Sequence, residues 1–224
     1  IDDAEARALI PMLTRRVITY GSDTSADYRA TNVQVAGASW CFDVERGPDK
    51  PMLQVSLGIP GQHNVMNALA AIAIASDEGI ADEAIVQGLA EFAGVDRRFE
   101  ITAPVNIGDT TITLVDDYGH HPTEVEAVIA TARQVWPERR VVMVYQPHRF
   151  SRTKDLFDDF VRVLSTVDVL SLLDVYSAGE QAIDGADSRS LIASIRQRGQ
   201  ISPLHAQDTT EAMQLLPNIC ETDD

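Results

Sequence analysis

The chain has 224 residues, 45% of them hydrophobic, enough for one large domain or two small ones with real cores, and this is no disordered chain. A formal net charge of −16 argues against nucleic acid or an anionic membrane as a partner. Two cysteines, Cys41 and Cys220, stand far apart without metal-ligand spacing, which argues against a disulfide framework and fits a reducing compartment.

The opening "IDDAEARALI" is no signal peptide, and no apolar run approaches the roughly 18 residues of a membrane span, so a cytoplasmic protein is expected. The chain starts without methionine and with a helix under way, as a piece of a longer protein would. Residues 1–20 read as an amphipathic helix followed by a short strand, "RVITYG". Residues 27–57 alternate and are rich in valine, threonine and aromatics, which predicts antiparallel strands with glycine and aspartate turns. "GQHNVMNALAAIAIASDEGI" predicts a helix with apolar residues nearly all round, hence buried. "ADEAIVQGLAEF" predicts a second helix, and a domain boundary falls in "GVDRRFE", giving domains 1–98 and 99–224.

Beyond that boundary strands and helices alternate. Strands are predicted at "EITAPVNI", "TITLVD", "VVMVYQ" and "DVLSLLDVY", with a further one at "ISPLH". The helices are "PTEVEAVIATARQVW", "SRTKDLFDDFVRVLST", "DSRSLIASIRQRG" and "TTEAMQLLPNI". In the first of these, Val125, Val128, Ile129 and Ala132 share one face and Pro122 sits in the first turn, where its missing N–H costs nothing. The fold class is therefore α/β, with a parallel sheet covered on both faces.

In such sheets ligands sit beyond the carboxyl ends of strands. Two polar turns fall there: "DDYGHHP", with Asp116, Asp117, Tyr118, His120 and His121, and "QPHRFSRT", with Arg149 and Arg152. Both lead into helix N-termini, whose free N–H groups favour anions. Of 18 basic residues only Lys50 and Lys154 are lysine, so clustered arginines invite explanation. A cationic pair at a helix start opposes the dipole by about 0.3–1 kcal/mol unless an anion compensates. His121 suits a helix cap, whereas Asp117, Tyr118 and His120 have no evident local partner. Asn64 and Asn67 share one helix face and serve equally to satisfy buried backbone or to pair with an adenine edge. Arg98 reaches either a ligand or the neighbouring acids Asp96 and Glu100. The chain holds neither G-x-x-x-x-G-K-[ST] nor G-x-G-x-x-G, so it carries no phosphate-cradling loop of its own.

"GQHNVMNALAAIAIA", "GVDRRFE", "LVDDYGHHPTEV", "YQPHRFSRT" and "GADSRSL", in that order, resemble the Mur ligases of peptidoglycan synthesis over essentially the whole chain. "DDYGHHPTE" with "QPHRFSRT" points within that family to its alanine-adding branch. The resemblance implies the later part of a central ATPase domain (1–98) followed by a Rossmann-like C-terminal domain (99–224) lacking its last elements, with the phosphate loop and principal Mg²⁺ ligands upstream. It implies ATP-dependent ligation of L-alanine to UDP-N-acetylmuramate through an acyl phosphate, with ATP and Mg²⁺ required. Residue by residue it implies Asn64 and Asn67 at the adenine, Asp117 at the ribose, and Arg98 at the phosphates, where it has a catalytic role and acts in domain closure. Tyr118, His120, Arg149 and Arg152 fall at the amino-acid end, His120 in a catalytic role; no residue here is implied as a metal ligand. The 224 residues alone are expected to fold without turning over ATP.

Two other readings fit the same residues. One is a relative that attaches a whole peptide to the same sugar nucleotide. The other is a metallohydrolase built on Asp116, Asp117, His120 and His121.

Overall fold

Pro11 cuts the first helix short. In the computed structural model, which describes residues 1–36, 39–222 and 224, helix α1 covers only Ala4–Leu9, capped by Asp3, and passes through one 3₁₀ turn into extended chain. The predicted strand "RVITYG" shrinks to β1 (Tyr20–Gly21): the Asp27 carboxylate takes the Thr19 N–H (2.7 Å), which a longer ladder would use, and also accepts the Thr19 hydroxyl (2.8 Å). The chain divides into two compact units, Ile1–Val95 and Asp96–Asp224.

In the first unit β1 pairs parallel with β2 (Tyr28–Ala36), which pairs antiparallel with β3 (Ser39–Glu45), and β3 with β4 (Leu53–Leu57). The glycine turn expected between β2 and β3, at Gly37 and Ala38, lies outside the described residues. Period-two alternation puts Trp40, Phe42 and Val44 opposite Leu57, Val55 and Leu53 on one face. Helix α2 (Gln62–Asp77) lays Val65, Ala68, Leu69, Ile72 and Ala73 on that core, and α3 (Asp82–Glu91) adds Ile85. Each fully buried Leu or Ile here contributes about 1.5–3 kcal/mol. Contrary to the all-round apolar reading, α2 buries only one stripe, and Ile74 is 66% exposed, because a single sheet face covers a single helix face.

The second unit begins with a hairpin, β5 (Glu100–Ile107) and β6 (Thr110–Asp116), turned by Gly108–Asp109 with Gly108 at φ +61°. "TITLVD" thus pairs antiparallel with its predecessor; the two-residue turn decides this before any crossover can form. The parallel sheet consists of β7 (Val142–Tyr145), β8 (Val169–Leu173) and β9 (Leu204–Ala206), in that order. Helices α4 (Pro122–Val135), α6 (Phe157–Leu164) and α7 (Ser188–Arg198) share one core with Leu170 and Leu172. Helix α8 (Thr209–Ile219) covers the opposite face through Leu173, Ala206, Ala212 and Leu215. The predicted helix over 151–166 is divided at Leu156 into α5 (Phe150–Asp155) and α6.

Candidate functional site

Strand β6 ends at Asp116, and the next five residues turn into α4. Asp117 organises the turn. One carboxylate oxygen accepts the Gly119 N–H at 2.6 Å and the other the Phe99 N–H at 2.9 Å. A Cβ at Gly119 would stand 2.8 Å from the Asp117 oxygen, so a larger residue there would have to displace that carboxylate. Tyr118 donates its backbone N–H to the Arg97 carbonyl at 2.8 Å, and the Arg97 guanidinium lies 4.8 Å from its ring centroid. His121 caps α4: its Nδ1 accepts the Thr123 N–H at 3.2 Å, while Glu124 reaches back to the His120 and His121 N–H groups at 2.9 and 3.0 Å. The first-turn amides expected to attract an external anion are therefore already held by Glu124 and His121.

The second turn follows β7. Arg149 adopts φ +75°, and its N–H donates to the Tyr176 carbonyl at 2.8 Å. Arg152 donates from Nη1 to the His148 carbonyl at 3.1 Å. The N–H and hydroxyl of Ser151 donate to Glu180 at 3.0 and 2.7 Å, so here too an internal carboxylate takes the helix start. What remains to attract an anion is the guanidinium pair, with Arg149 half exposed.

The two turns meet around one cavity of about 890 Å³ within the second unit. Arg97, Asp117, Tyr118, His120, His148, Arg149 and Arg152 all line it. The His120 ring stands 5.4 Å from Tyr118 and 6.1 Å from His148, and His148 stands 5.1 Å from Tyr176. Burial, together with the nearby Arg152, holds the His148 pKa below the ordinary histidine range, so its imidazole is neutral at physiological pH. Its Nδ1 is buried without a hydrogen-bond partner among the described residues. Burial pushes the Tyr145 phenol far above its ordinary range; it stays protonated and donates to the His120 carbonyl at 3.4 Å, joining β7 to the first turn. A second hollow of about 440 Å³, between β6, α4 and β7, is mainly apolar and offers less chemistry.

Asp117, Tyr118, His120, Arg149 and Arg152 come together at the cavity. Asp117 and His120 do have local partners, contrary to expectation, in backbone groups that a linear sequence does not reveal. Arg98 pairs loosely with Glu124 at 3.8 Å, whereas its neighbour Arg97 lines the cavity. Asn64 and Asn67 stand in the first two turns of α2 in the first unit: Asn64 donates to the Pro60 carbonyl at 2.6 Å, and the exposed Asn67 donates to Asn64 at 3.3 Å. Sequence reasoning passed over His148, Tyr176 and Glu180. The loop after β8 is a third strand-end loop, and applying the strand-end rule to it would have found Tyr176 and Glu180.

The metallohydrolase reading does not fit the geometry. Asp116 pairs with Arg97 at 3.6 Å, Asp117 is bound to backbone, and His121 is a helix cap. Among the described residues no group of three or more His, Cys, Asp and Glu could hold a metal ion, and no helix is long and apolar enough to cross a membrane.

Comparison with known proteins bears on the family and the fold. Residues 97–224 match the Mur ligase glutamate ligase domain, and residues 1–75 match the Mur ligase middle domain. The UDP-N-acetylmuramate–alanine ligase of Thermotoga maritima is similar at 26% identity and a TM-score of 0.70, over 92% of this chain and 42% of that one. A murein peptide ligase of Psychrobacter arcticus shares the fold at 21% identity and a TM-score of 0.60, over 92% of this chain and 42% of that one. The MurF ligase of Thermotoga maritima, solved in complex with ADP, shares it at 16% identity and a TM-score of 0.64, over 99% of this chain and 47% of that one. The chain thus spans less than half the length of these relatives.

Proposed function

The chain belongs to the Mur ligase family, and we propose that the complete protein joins L-alanine to UDP-N-acetylmuramate at the expense of ATP, through an acyl phosphate, in peptidoglycan synthesis. The observation that carries this reading is the convergence of Arg149 and Arg152 with Tyr118, His120 and Arg97 on one strand-end cavity. Two guanidinium forks suit a small carboxylate, and a carboxylate anchored there aims its amine. The motifs "DDYGHHPTE" and "QPHRFSRT", which resemble those of the alanine-adding branch, and the 26% identity to an alanine ligase against 21% to a murein peptide ligase support L-alanine over a peptide.

In this reading the lactyl carboxylate of the sugar nucleotide accepts the γ-phosphoryl group of ATP, and the alanine amine displaces phosphate. Charge builds on phosphoryl oxygens and then on the tetrahedral oxyanion, so fixed cations do most of the work. Arg98, half exposed and only loosely paired, is free to turn toward phosphate. Asp117 accepts one N–H at each oxygen, which leaves lone pairs for ribose hydroxyls. The exposed Asn67, with Asn64 beside it, has the amide edge that adenine requires. Mg²⁺, when bound, neutralises phosphate charge, and no residue described here is assigned to it. His120, which lines the same cavity, is the residue assigned to receive or relay the proton leaving the amine.

The test is ADP release by the complete gene product with UDP-N-acetylmuramate and each candidate amino acid, beside Arg149→Ala. Release that requires both the sugar nucleotide and L-alanine, with weaker alanine use by the variant, supports the reading. Release with a peptide but not with alanine would reassign the protein to peptide attachment. The 224 residues alone are expected to release no ADP, and measurable turnover by them would overturn the assignment of the phosphate loop to the rest of the protein.

A further inference from the structure

Two strand-end loops of the second unit are stitched into one body. Residues 146–149 follow β7 and residues 174–180 follow β8, and an isolated parallel bridge joins His148 to Tyr176. The Tyr176 N–H donates to the Pro147 carbonyl at 2.8 Å, and the Arg149 N–H returns to the Tyr176 carbonyl at 2.8 Å. Arg149 at φ +75° holds a backbone conformation that residues with side chains rarely adopt and that persists only where neighbours over-determine it.

Glu180 closes this structure. Its Oε2 accepts the Ser151 N–H at 3.0 Å, and its Oε1 accepts the Ser151 hydroxyl at 2.7 Å and lies 3.7 Å from Arg149 Nη1. The hydrogen bonds from Ser151 hold its pKa below the ordinary glutamate range, so the carboxylate is ionised at neutral pH. One edge of the Arg149 guanidinium is thereby tethered, while Arg149 and Arg152 both line the cavity. Glu180 offsets part of the positive charge of the two guanidinium groups without removing it, so the pair can still attract a substrate carboxylate. A free Arg149 side chain would sample many rotamers, and only some of them face the cavity.

We propose that Glu180 is a positioning residue for the amino-acid carboxylate: from the loop after β8 it fixes the strained turn at Arg149 and aims that guanidinium into the cavity, without touching substrate itself. This rests on Arg149 and Arg152 being the carboxylate clamp of the proposed ligase.

The experiment is steady-state kinetics of the complete protein with Glu180→Gln and Glu180→Asp beside wild type and Arg149→Ala, varying L-alanine, ATP and UDP-N-acetylmuramate in turn. Glutamine keeps an acceptor for Ser151 and removes the charge that holds Arg149. The expected result is a rise of about tenfold in the KM for alanine in Glu180→Gln. The KM values for ATP and the sugar nucleotide should stay within about twofold, and Glu180→Asp should recover part of the alanine effect. An unchanged alanine KM with a lower kcat, as a merely less stable enzyme would give, overturns the proposal, as does an equal rise in all three KM values. Wild-type ADP release without an amino-acid requirement sinks the ligase reading. An alanine KM unmoved by Arg149→Ala sinks the clamp. Either takes this proposal with it, and each is read separately from the Glu180 variants.

Discussion

The Asp117 carboxylate reaches back across 18 residues to accept the backbone N–H of Phe99 at 2.9 Å. Phe99 has φ +50° and a ring that is 4% exposed and stacked on Trp136 at 6.1 Å between centroids, so this hydrogen bond fixes both a strained backbone and a buried aromatic. Hydrogen bonds to a charged acceptor contribute about 1.5–3 kcal/mol each, and Asp117 makes two to backbone. Two such bonds would give about 3–6 kcal/mol, and because Asp117 is only partly buried, water lowers the expectation for Asp117→Ala to about 2–4 kcal/mol of lost stability in the second unit. Urea unfolding followed by tryptophan fluorescence checks this, with Trp40 replaced by Phe so that only Trp136 reports. A loss below about 1 kcal/mol would mean that water or relaxed backbone satisfies the Phe99 amide without the carboxylate.

How much of this was legible in the sequence depends on the reach of each interaction. Helix α4 was readable because its apolar period, its proline at the first turn and its capping residues all lie within one stretch. The hairpin of β5 and β6 was misassigned to the parallel sheet, although its local turn code, Gly108–Asp109, was there to be read. Tyr118, His120, Arg149 and Arg152 were legible as strand-end residues, since chain order alone puts them beyond β6 and β7. Glu180 was not: its partners Arg149 and Ser151 are 29 or more residues away, and a glutamate in a glycine-containing loop has an ordinary solvated explanation. The preference for Arg97 over Arg98 at the cavity was equally hidden. Arg97 also holds a positive φ, which no residue type there announces.

Arginine at position 149 is expected to be irreplaceable by lysine. The guanidinium has a fork that can be tethered to Glu180 on one edge and still offer a second edge to a substrate carboxylate, whereas an ammonium is a single point charge. Arg149→Lys should raise the KM for alanine by about tenfold in the complete protein, nearly as much as Arg149→Ala, with ATP saturation unchanged. A lysine variant kinetically equal to wild type would show that the site uses the charge and not the fork.

Glu124 makes the start of α4 sensitive to acid. Burial raises the pKa of this carboxylate, but hydrogen bonds from the His120 and His121 N–H groups and the nearby His120 and Arg98 outweigh burial, so the folded-state value lies below the ordinary 4.5. A carboxylate with a depressed folded-state pKa stabilises the fold above its unfolded value, and that contribution disappears as pH falls through the folded value. Because Glu124 is 37% exposed, solvent screening keeps the contribution to about 1 kcal/mol. Glu124→Gln should accordingly be less stable than wild type at pH 7, and the two should converge as pH drops below about 4. Chemical denaturation across that range measures the gap; one that stays constant with pH would place the effect in packing.

In the first unit the corresponding test falls on Arg46. Its side chain is 2% exposed and meets Asp82 with two bonds of 2.7 Å, while its Nε and Nη2 donate to the Pro51 carbonyl at 3.1 and 2.6 Å. The pair ties the β3–β4 connection to the first turn of α3, where an aspartate also suits the helix dipole. The hydrogen bond from Arg46 is the main cause of the lowered Asp82 pKa, with burial opposing it. Truncating one partner of a buried pair costs about 3–5 kcal/mol, and the 36% exposure of Asp82 lowers the expectation for Arg46→Ala to about 2–4 kcal/mol. Arg46→Lys keeps the charge and loses the two-pronged geometry, so it should fall between Arg46→Ala and wild type. Unfolding read from Trp40 emission, with Trp136 replaced by Phe, isolates the first unit. The double variant Arg46→Met, Asp82→Asn should recover much of the loss, since no uncompensated carboxylate then remains. If instead the double variant is as unstable as Arg46→Ala, the unpaired charge is not the cause, and the lost tie to the Pro51 carbonyl is.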